Sequence, residues 1–348
     1  MICPAGLDDV TPAWLSEALA GHFRGARVRA ATLSHLIEGT ATKAKLALEY
    51  EVRPDGAPDA VWVKGGFSVV GAHQGEAFAN EVDFYRDVAP RLATNRPDVY
   101  AGVSDPVTHN GVLVMEDLGK RGARFGHAAT PLTLDEARHV LAMQAGFHAR
   151  FWGGAGLERF AWLSAGGSIL ESKMIEQFLD LWDGAAPLPK FAHVRPSQDD
   201  RRRIGEALTA MLVDDAARPG CFVHGDSHVA NLFFEADGRP GYLDWQHVMR
   251  GSWAFDVANL LVTGLTVADR RTHERALIAG YLEALGAAGV PPPSNDEAWS
   301  AYAAHAIWSF MWVLCPVAMH SEVVCGLNAE RACAAIEDLA SLDRLAPR

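Results

Sequence analysis

The sequence reads CFVHGDSHVANLFF over residues 221–234 and GYLDW over residues 241–245. Each apolar run is long enough for a short strand, and polar residues fill the connections. This pattern predicts a hairpin that places two acids and an amide, Asp226, Asp244 and Asn231, at the ends of adjacent strands. Such oxygen donors suit a divalent cation and a hydroxyl group that must lose its proton. Phosphoryl transfer requires both, because its catalysis consists mostly of positioning and of neutralising charge on phosphate oxygens.

The composition is that of an ordinary globular protein with an acidic surface. The chain has 348 residues, of which 49% are hydrophobic and 21% are charged, and its net charge is −12. This length can bury a large core in one or two domains. The negative charge argues against a protein that binds nucleic acid or anionic membranes, since such proteins present basic surfaces. The sequence gives no sign of an obligate protein partner.

The cysteines and the apolar segments indicate a cytoplasmic protein. The five cysteines are odd in number and lack the CxxC spacing of metal sites, which predicts reduced thiols. No charged segment followed by an apolar core opens the chain, so we expect no secretory signal. The longest apolar stretch, residues 299–319, is interrupted by serine, histidine and proline. It predicts a buried helix rather than a membrane span.

The pattern of apolar residues changes along the chain from alternation to helical periodicity. Alternation over residues 26–50 predicts a β-hairpin. Further strands are predicted at 61–64 and within residues 111–119, where the strand breaks at an acidic turn and a glycine. From a capping box at Thr133 onwards the period is helical, apart from the hairpin at 221–245. The chain is therefore predicted to consist of a strand-rich first third and a helical remainder.

The order of these motifs resembles the aminoglycoside phosphotransferase and choline-kinase-like superfamily of small-molecule kinases. His-Gly-Asp at 224–226 is followed by Asn five residues after the Asp, and by another Asp a further 13 residues on. The sequence DVAN at 256–259 stands where this family carries a structural Asp-x-Ala, and residues 142–152 resemble a helix of its choline- and ecdysteroid-kinase-like branch. The resemblance implies an α+β, protein-kinase-like bilobal fold. A small antiparallel sheet would form the N-lobe over residues 1–116, and a mostly helical C-lobe would span residues 117–348.

The resemblance also implies roles for the residues of the hairpin. Asp226 would be the catalytic base that accepts the proton of a hydroxyl group, and His224 would pack beneath its loop and orient it. Asn231 and Asp244 would hold Mg²⁺, which bridges the phosphates of ATP. We assign no chemical role to His228.

Other positions would bind ATP. Lys64 ends an apolar strand and would pair with Glu81 on the next helix, which points the lysine at the α- and β-phosphates. Glu76 is the competing partner. The turn that contains Gly39 and Thr40 would cover the phosphates with backbone N–H groups, although an ordinary hairpin turn explains it equally well. No Gly-x-x-x-x-Gly-Lys-[Ser/Thr] motif occurs, which excludes a standard P-loop.

The segment VMEDL, residues 114–118, resembles the hinge that binds adenine in this superfamily. Met115 would be its gatekeeper. The backbone carbonyl of Glu116 and the backbone amide of Leu118 would then form hydrogen bonds with the base.

The acceptor is less clear from the sequence. Aromatic residues crowd the C-terminal helices between Trp299 and Trp312, where they form either part of the core or the wall of a pocket. If they line a pocket, the acceptor is an apolar alcohol rather than an aminoglycoside.

We therefore predict an enzyme that uses ATP and Mg²⁺ to transfer the γ-phosphate to the hydroxyl of a small molecule. One alternative is a metal-dependent hydrolase in which His224, Asp226 and His228 are the metal ligands. Another is a nucleotide-binding module without catalysis. Lys64 and the hinge weigh against the hydrolase, and the complete set of polar site residues weighs against the inactive module.

Overall fold

The computed structural model describes residues 1–67, 76–171 and 173–346. The strands in these ranges are β1 Arg27–Ile37, β2 Thr42–Val52, β3 Ala60–Gly65, β4 Val99–Ser104, β5 Gly111–Met115, β6 Arg124–Phe125, β7 Cys221–Val223, β8 Leu232–Phe234, β9 Pro240–Tyr242 and β10 Met249–Gly251. The α-helices are α1 Pro12–Leu19, α2 Ala77–Asp83, α3 Leu134–Arg150, α4 Gly167–Glu171, α5 Met174–Leu179, α6 Trp182–Ala185, α7 Arg201–Ala216, α8 Trp253–Gly264, α9 Val267–Ala287, α10 Asn295–His305, α11 Met311–Leu314, α12 Glu322–Asp338 and α13 Ser341–Arg344. Short 3₁₀ turns connect many of these elements.

One compact unit, formed by Met1–Arg91 and Arg96–Ala123, is built on an antiparallel sheet. The strand order is β1-β2-β3-β5-β4. Strands β1 and β2 form the predicted hairpin, whose register closes at Ile37 and Lys43. Buried and exposed side chains alternate along β2, as expected for a strand with one face on a core. That face packs against α1 and includes the buried residues Val28, Ala44, Leu46, Leu48, Val61, Val63, Val112 and Val114.

The second compact unit, formed by Leu92–Asn95 and Arg124–Arg348, is mostly helical. Its first long helix, α3, begins at the predicted capping box. The hydroxyl of Thr133 accepts the Glu136 N–H at 3.2 Å, and the Glu136 carboxylate accepts the Thr133 N–H at 2.8 Å. Helix α8 is buried along its whole length. The predicted division into lobes at residue 116 stays a prediction.

The segment of residues 221–245, which is predicted to form one hairpin, contributes strands to two small sheets. Strands β8 and β9 are adjacent as predicted, and β6 joins them on the other side of β8. Strand β7 pairs with β10 instead, through Val223 and Met249. The prediction that all three polar residues end adjacent strands was therefore wrong for the strand before Asp226. The reason is that the loop from His224 to Asn231 carries the chain from one sheet to the other, and alternation alone does not identify a non-local partner strand.

The long apolar stretch near the C-terminus is helical and buried, but it is not one helix. Helix α10 ends at His305, a 3₁₀ segment covers Ala306–Phe310, and α11 ends at Leu314 before the proline at 316. No helix within the described ranges is both long enough and apolar enough to cross a membrane.

Candidate active site

Asp256 anchors the loop that follows β7. Its buried carboxylate accepts the backbone N–H of His224 at 2.7 Å and that of Gly225 at 3.0 Å. Its own backbone carbonyl accepts the hydroxyl of Ser227 at 2.8 Å. Asp256 lies in the first turn of α8, where the helix dipole favours a negative charge. The Asp-x-Ala motif thus has the structural role that the resemblance implies.

Helix α3 supports the same anchor from the other side. The His148 ring places Nε2 3.1 Å from the Asp256 carboxylate and Nδ1 2.8 Å from the hydroxyl of Tyr281. The Gln144 amide donates to the hydroxyl of Tyr242 at 2.8 Å and to the backbone carbonyl of Asp256 at 3.4 Å. These contacts explain why polar residues stand on the otherwise apolar buried face of this helix.

His224 lies beneath the loop, as the sequence analysis expects. Its Nδ1 accepts the backbone N–H of Asp226 at 3.2 Å, so Nε2 carries the ring proton and donates it to the Leu243 carbonyl at 2.8 Å. Burial lowers the pKa of the imidazole, which favours this neutral form. The ring packs against Trp245 with the centroids 4.6 Å apart. Both nitrogens are therefore occupied by backbone groups, which is unfavourable for the metal-ligand role that the hydrolase alternative requires.

The Asp226 carboxylate lies at the tip of this loop, with 30% of its side chain exposed. The Asn231 amide donates to its Oδ2 at 2.9 Å and to its backbone carbonyl at 2.8 Å. His228 Nε2 lies 3.4 Å from the same Oδ2. Burial raises the pKa of Asp226, but His228, His247 and His224 together lower it more, so the net pKa lies below its ordinary range. The side chain is an ionised hydrogen-bond acceptor at neutral pH.

Asn231 and Asp244, the predicted metal ligands, lie at the facing ends of β8 and β9. They are linked through the Leu243 N–H, which donates to the Asn231 carbonyl at 2.8 Å. The side-chain nitrogen of Asn231 is hydrogen-bonded to Asp226, so the other amide atom, Asn231 Oδ1, is directed away from Asp226. Asp244 adopts a left-handed backbone conformation with φ of 60°, which costs a non-glycine residue conformational energy.

These two side chains offer the oxygen donors that Mg²⁺ prefers, and Mg²⁺ fills its other positions with water and phosphate oxygens. The donor set therefore fits this ion. No group of three or more His, Cys, Asp or Glu side chains in the described part of the chain is arranged to hold a metal.

Lys64 and Glu81 form the predicted ion pair in the first unit. Lys64 Nζ lies 2.6 Å from Glu81 Oε2, and the two side chains are only 4% and 3% exposed. Glu76, the competing partner, instead faces His109 at the surface, with 3.5 Å between the charged atoms. A lysine this deeply buried keeps its charge only beside a partner, and the paired carboxylate holds it in one orientation.

The predicted hinge is fixed in the first unit by its acidic side chains. The Asp117 carboxylate accepts the Trp62 indole N–H at 3.2 Å and pairs with Lys45 at 2.7 Å. The Glu116 carboxylate pairs with Arg121 at 2.7 Å. The two acidic side chains of this motif thus hold the segment to its neighbours within the first unit.

The backbone groups proposed for adenine binding are open. Within the described ranges, no residue forms a hydrogen bond with the carbonyl of Glu116 or the amide of Leu118. Met115 ends β5 opposite Trp62 and is partly buried. This is the geometry that a hinge requires, since its unsatisfied groups need a partner.

The turn with Gly39 and Thr40 lies between β1 and β2, and both residues are partly buried. A Cβ on Gly39 would come no closer than 3.9 Å to another heavy atom, and its φ is not in the left-handed range. The structure thus gives no conformational reason for a glycine at this position.

The C-terminal aromatic residues separate into core and site. Trp308 packs on Phe255, and Phe310 stacks on Trp182, so both belong to the core. Trp312 instead meets the edge of His228, the histidine next to Asp226, with the centroids 5.2 Å apart.

His320 is a residue that sequence reasoning missed. Its ring lies 5.0 Å from that of Trp312 and 6.1 Å from that of His228. It follows α11 in an irregular segment, about 90 residues from the motif it approaches, and no local pattern marks it. His247 was also missed, although it stands only three residues after Asp244. Its position next to a predicted metal ligand was the signal that could have identified it.

Comparisons with known proteins agree with this architecture. The choline kinase LicA from Streptococcus pneumoniae superposes with a TM-score of 0.51 at 15% identity, covering 94% of this chain and 98% of that chain. LicA in complex with AMP gives a TM-score of 0.51 at 14% identity, with coverage of 95% and 98%. The α+β, protein-kinase-like bilobal fold is thereby confirmed. No curated protein sequence matches the chain at a significant level. The model of the phosphotransferase enzyme family matches residues 58–303, which is more than half of the sequence, and the chain belongs to this family.

Proposed function

We propose that this protein is a cytoplasmic kinase that uses ATP and Mg²⁺ to phosphorylate the hydroxyl group of an apolar small molecule. The observation that carries the proposal is the position of Asp226. Its loop is pinned to Asp256, one carboxylate oxygen is held by Asn231, and the side chain remains accessible. A fixed, ionised carboxylate at an accessible loop tip suits the removal of a hydroxyl proton.

Nucleotide contacts come, in this proposal, from the first unit. The Lys64 ammonium, oriented by Glu81, would bind phosphate oxygens, as the corresponding pair does in protein kinases. The backbone of Glu116 and Leu118 would bind the base, since both groups lack other partners in the described residues. We further propose that the strand-rich and helical units are the N- and C-lobes, divided near residue 116.

Asn231 and Asp244 would hold Mg²⁺ through oxygen atoms. The bound ion would neutralise charge on the phosphate oxygens. The strained backbone of Asp244 supports this assignment, because such strain persists where a side chain must be aimed. Asn231 would act in two ways, since its amide nitrogen also holds the Asp226 carboxylate.

An apolar acceptor is favoured by the residues near the base. Trp312 contacts His228 and belongs to a buried apolar cluster with Cys315 and Cys325. Partly buried apolar residues pack against this cluster, and they are Phe178, Met319 and Val324. Such surroundings favour an apolar alcohol over a polycationic aminoglycoside, whose charged groups would lose hydration there.

The test is acceptor-dependent release of ADP. The purified chain is incubated with Mg²⁺ and ATP, or GTP in a parallel series, and a panel of apolar alcohols, amino alcohols and kanamycin, with a no-acceptor control. We expect ADP release above the control with apolar alcohols. Asp226→Asn is the matched control, since it keeps the size of the side chain and removes the proton acceptor. We expect it to lower kcat by about 10²–10⁴-fold and to leave nucleotide binding intact.

Two results would contradict the proposal. Tight nucleotide binding without ADP release in any arm would identify a non-catalytic module. Stoichiometric zinc in the absence of nucleotide, lost on substitution of His228, would favour the hydrolase alternative.

A further inference from the structure

His228 has a geometry that determines its hydrogen-bonding state. Its Nδ1 accepts the backbone N–H of Ala230 at 3.2 Å and thereby caps the 3₁₀ turn Val229–Asn231. A nitrogen that accepts a hydrogen bond cannot carry a proton, so the neutral ring has its hydrogen on Nε2. That nitrogen is the one that lies 3.4 Å from Asp226 Oδ2. The backbone of the turn thus selects the tautomer that points a donor at the carboxylate.

The two oxygens of Asp226 are therefore not equivalent. Oδ2 faces two donors, the amide of Asn231 at 2.9 Å and the ring of His228. Within the described residues, no hydrogen bond reaches Oδ1. An oxygen that faces two donors has little capacity for a third.

We infer that His228 is a positioning residue that holds Asp226 Oδ2, so that Oδ1 is the oxygen that accepts the proton of the acceptor hydroxyl. The part of this inference that concerns proton transfer rests on the proposed function. The part that concerns the hydrogen bonds of His228 rests on the geometry alone. The proton moves from the hydroxyl oxygen to Oδ1, and that hydroxyl oxygen forms the new bond to phosphorus while the bond to the leaving ADP breaks.

The surroundings of His228 fit this role. The residue is 5% exposed, and its ring meets that of Trp312 edge to face with an interplanar angle of 86°. The cap on one side and Trp312 on the other leave the ring little freedom to rotate. The contact of 3.4 Å is long for a hydrogen bond, and such contacts in unliganded sites shorten when substrate binds.

Two substitutions separate this role from capping. His228→Asn keeps an oxygen that can cap the turn but is too short to reach the carboxylate, because asparagine is a good N-cap residue. His228→Gln reaches the carboxylate with an amide N–H but loses the cap. If His228 positions Asp226, H228Q retains more kcat than H228N, by about tenfold, while KM for ATP stays similar in both. If His228 only supports the turn, the order is reversed.

The kcat values are measured with the best acceptor of the ADP-release panel. They are measured again without an acceptor, when water is the nucleophile that attacks ATP. Equal kcat in H228Q and H228N, or higher kcat in H228N, would overturn the inference. The ring itself is examined by ¹⁵N NMR of histidine-labelled full-length protein, with H228Q used to assign the signal. We expect a protonated Nε2 and a bare Nδ1. A protonated Nδ1 would overturn the inference whether or not the chain proves to be a kinase, whereas a lack of turnover with the expected tautomer would count against the proposed function alone.

Discussion

Asp256 and His224 are joined by a hydrogen bond of 2.7 Å from the backbone amide of the histidine to the carboxylate of the aspartate. The bond connects the start of a buried helix to the start of the loop that carries the proposed base. The second carboxylate oxygen holds the next amide, that of Gly225, at 3.0 Å. Because both amides bind one rigid group, the direction of the chain towards Asp226 is determined before any substrate arrives.

Asp256→Asn should destabilise the protein and slow the reaction together. The amide side chain can accept only one of the two backbone N–H groups, and its own N–H₂ meets the other. Hydrogen bonds to charged groups contribute about 1.5–3 kcal/mol, so we expect the free energy of unfolding to fall by about 2 kcal/mol or more. Urea denaturation measures this change. Ser227→Ala is the matched control, because it removes a bond to the Asp256 backbone carbonyl and leaves the carboxylate bonds intact. A smaller loss in D256N than in S227A would contradict the anchor.

Gly225→Ala should disturb the same loop through the backbone. Gly225 has a φ of +79°, and an added Cβ would lie 1.9 Å from the carbonyl oxygen of His247. Gly238 has a φ of +81° with no atom within 4 Å of such a Cβ, so Gly238→Ala pays only the conformational cost of about 1–2 kcal/mol. We expect G225A to be less stable than G238A by at least about 1 kcal/mol, measured by denaturation. Similar free energies of unfolding for G225A and G238A would contradict this prediction, because they would show that the loop can move away from His247 at no energetic cost.

Sequence reasoning succeeded where the interacting residues are close in the chain or belong to a recognisable order of motifs. Asn231 lies five residues after Asp226, and the two are in contact because one short loop holds both. The pairing of Lys64 with Glu81 follows from a strand and the helix after it.

Non-local relationships were beyond the sequence pattern. Strand β7 pairs with β10, which lies beyond β8 and β9 in the chain, and the three apolar residues of β7 do not encode that partner. The approach of His320 and Trp312 to His228 likewise joins segments more than 80 residues apart. The sequence predicts that these aromatic residues are buried. It does not predict that Trp312 contacts His228, because that contact depends on how α11 packs in three dimensions.

Removal of Lys64 alone should cost more stability than removal of both partners. Lys64→Met removes one partner of a buried ion pair and leaves the Glu81 carboxylate in place, and breaking a buried pair in this way costs about 3–5 kcal/mol. The double variant K64M/E81L replaces the pair by apolar side chains, and we expect it to recover most of that free energy of unfolding. Nucleotide affinity, measured by calorimetry with ATP and Mg²⁺, should stay low in both variants. Recovered affinity in the double variant would contradict a phosphate-binding role for Lys64.

The buried pair of His305 and Asp215 should make stability depend on pH. His305 Nδ1 lies 2.7 Å from the Ala301 carbonyl and Nε2 lies 2.9 Å from the Asp215 carboxylate. Both partners are acceptors, so the ring satisfies them only when both nitrogens carry protons. Burial lowers the pKa of His305, but Asp215 raises it more, so the folded-state pKa lies above the ordinary value.

A raised pKa in the folded state means that the folded protein binds the proton more tightly than the unfolded chain does. The stabilisation is therefore complete below the unfolded pKa of about 6.5 and is lost as the pH rises through the folded pKa. We expect the loss of unfolding free energy caused by His305→Gln to be largest near pH 6 and to shrink towards pH 9. Denaturation at a series of pH values measures it, and Asp215→Asn should abolish the same pH dependence. If the loss of unfolding free energy in H305Q instead grew with pH, the neutral ring would be the stabilising form. His305 would then not be doubly protonated in the folded protein.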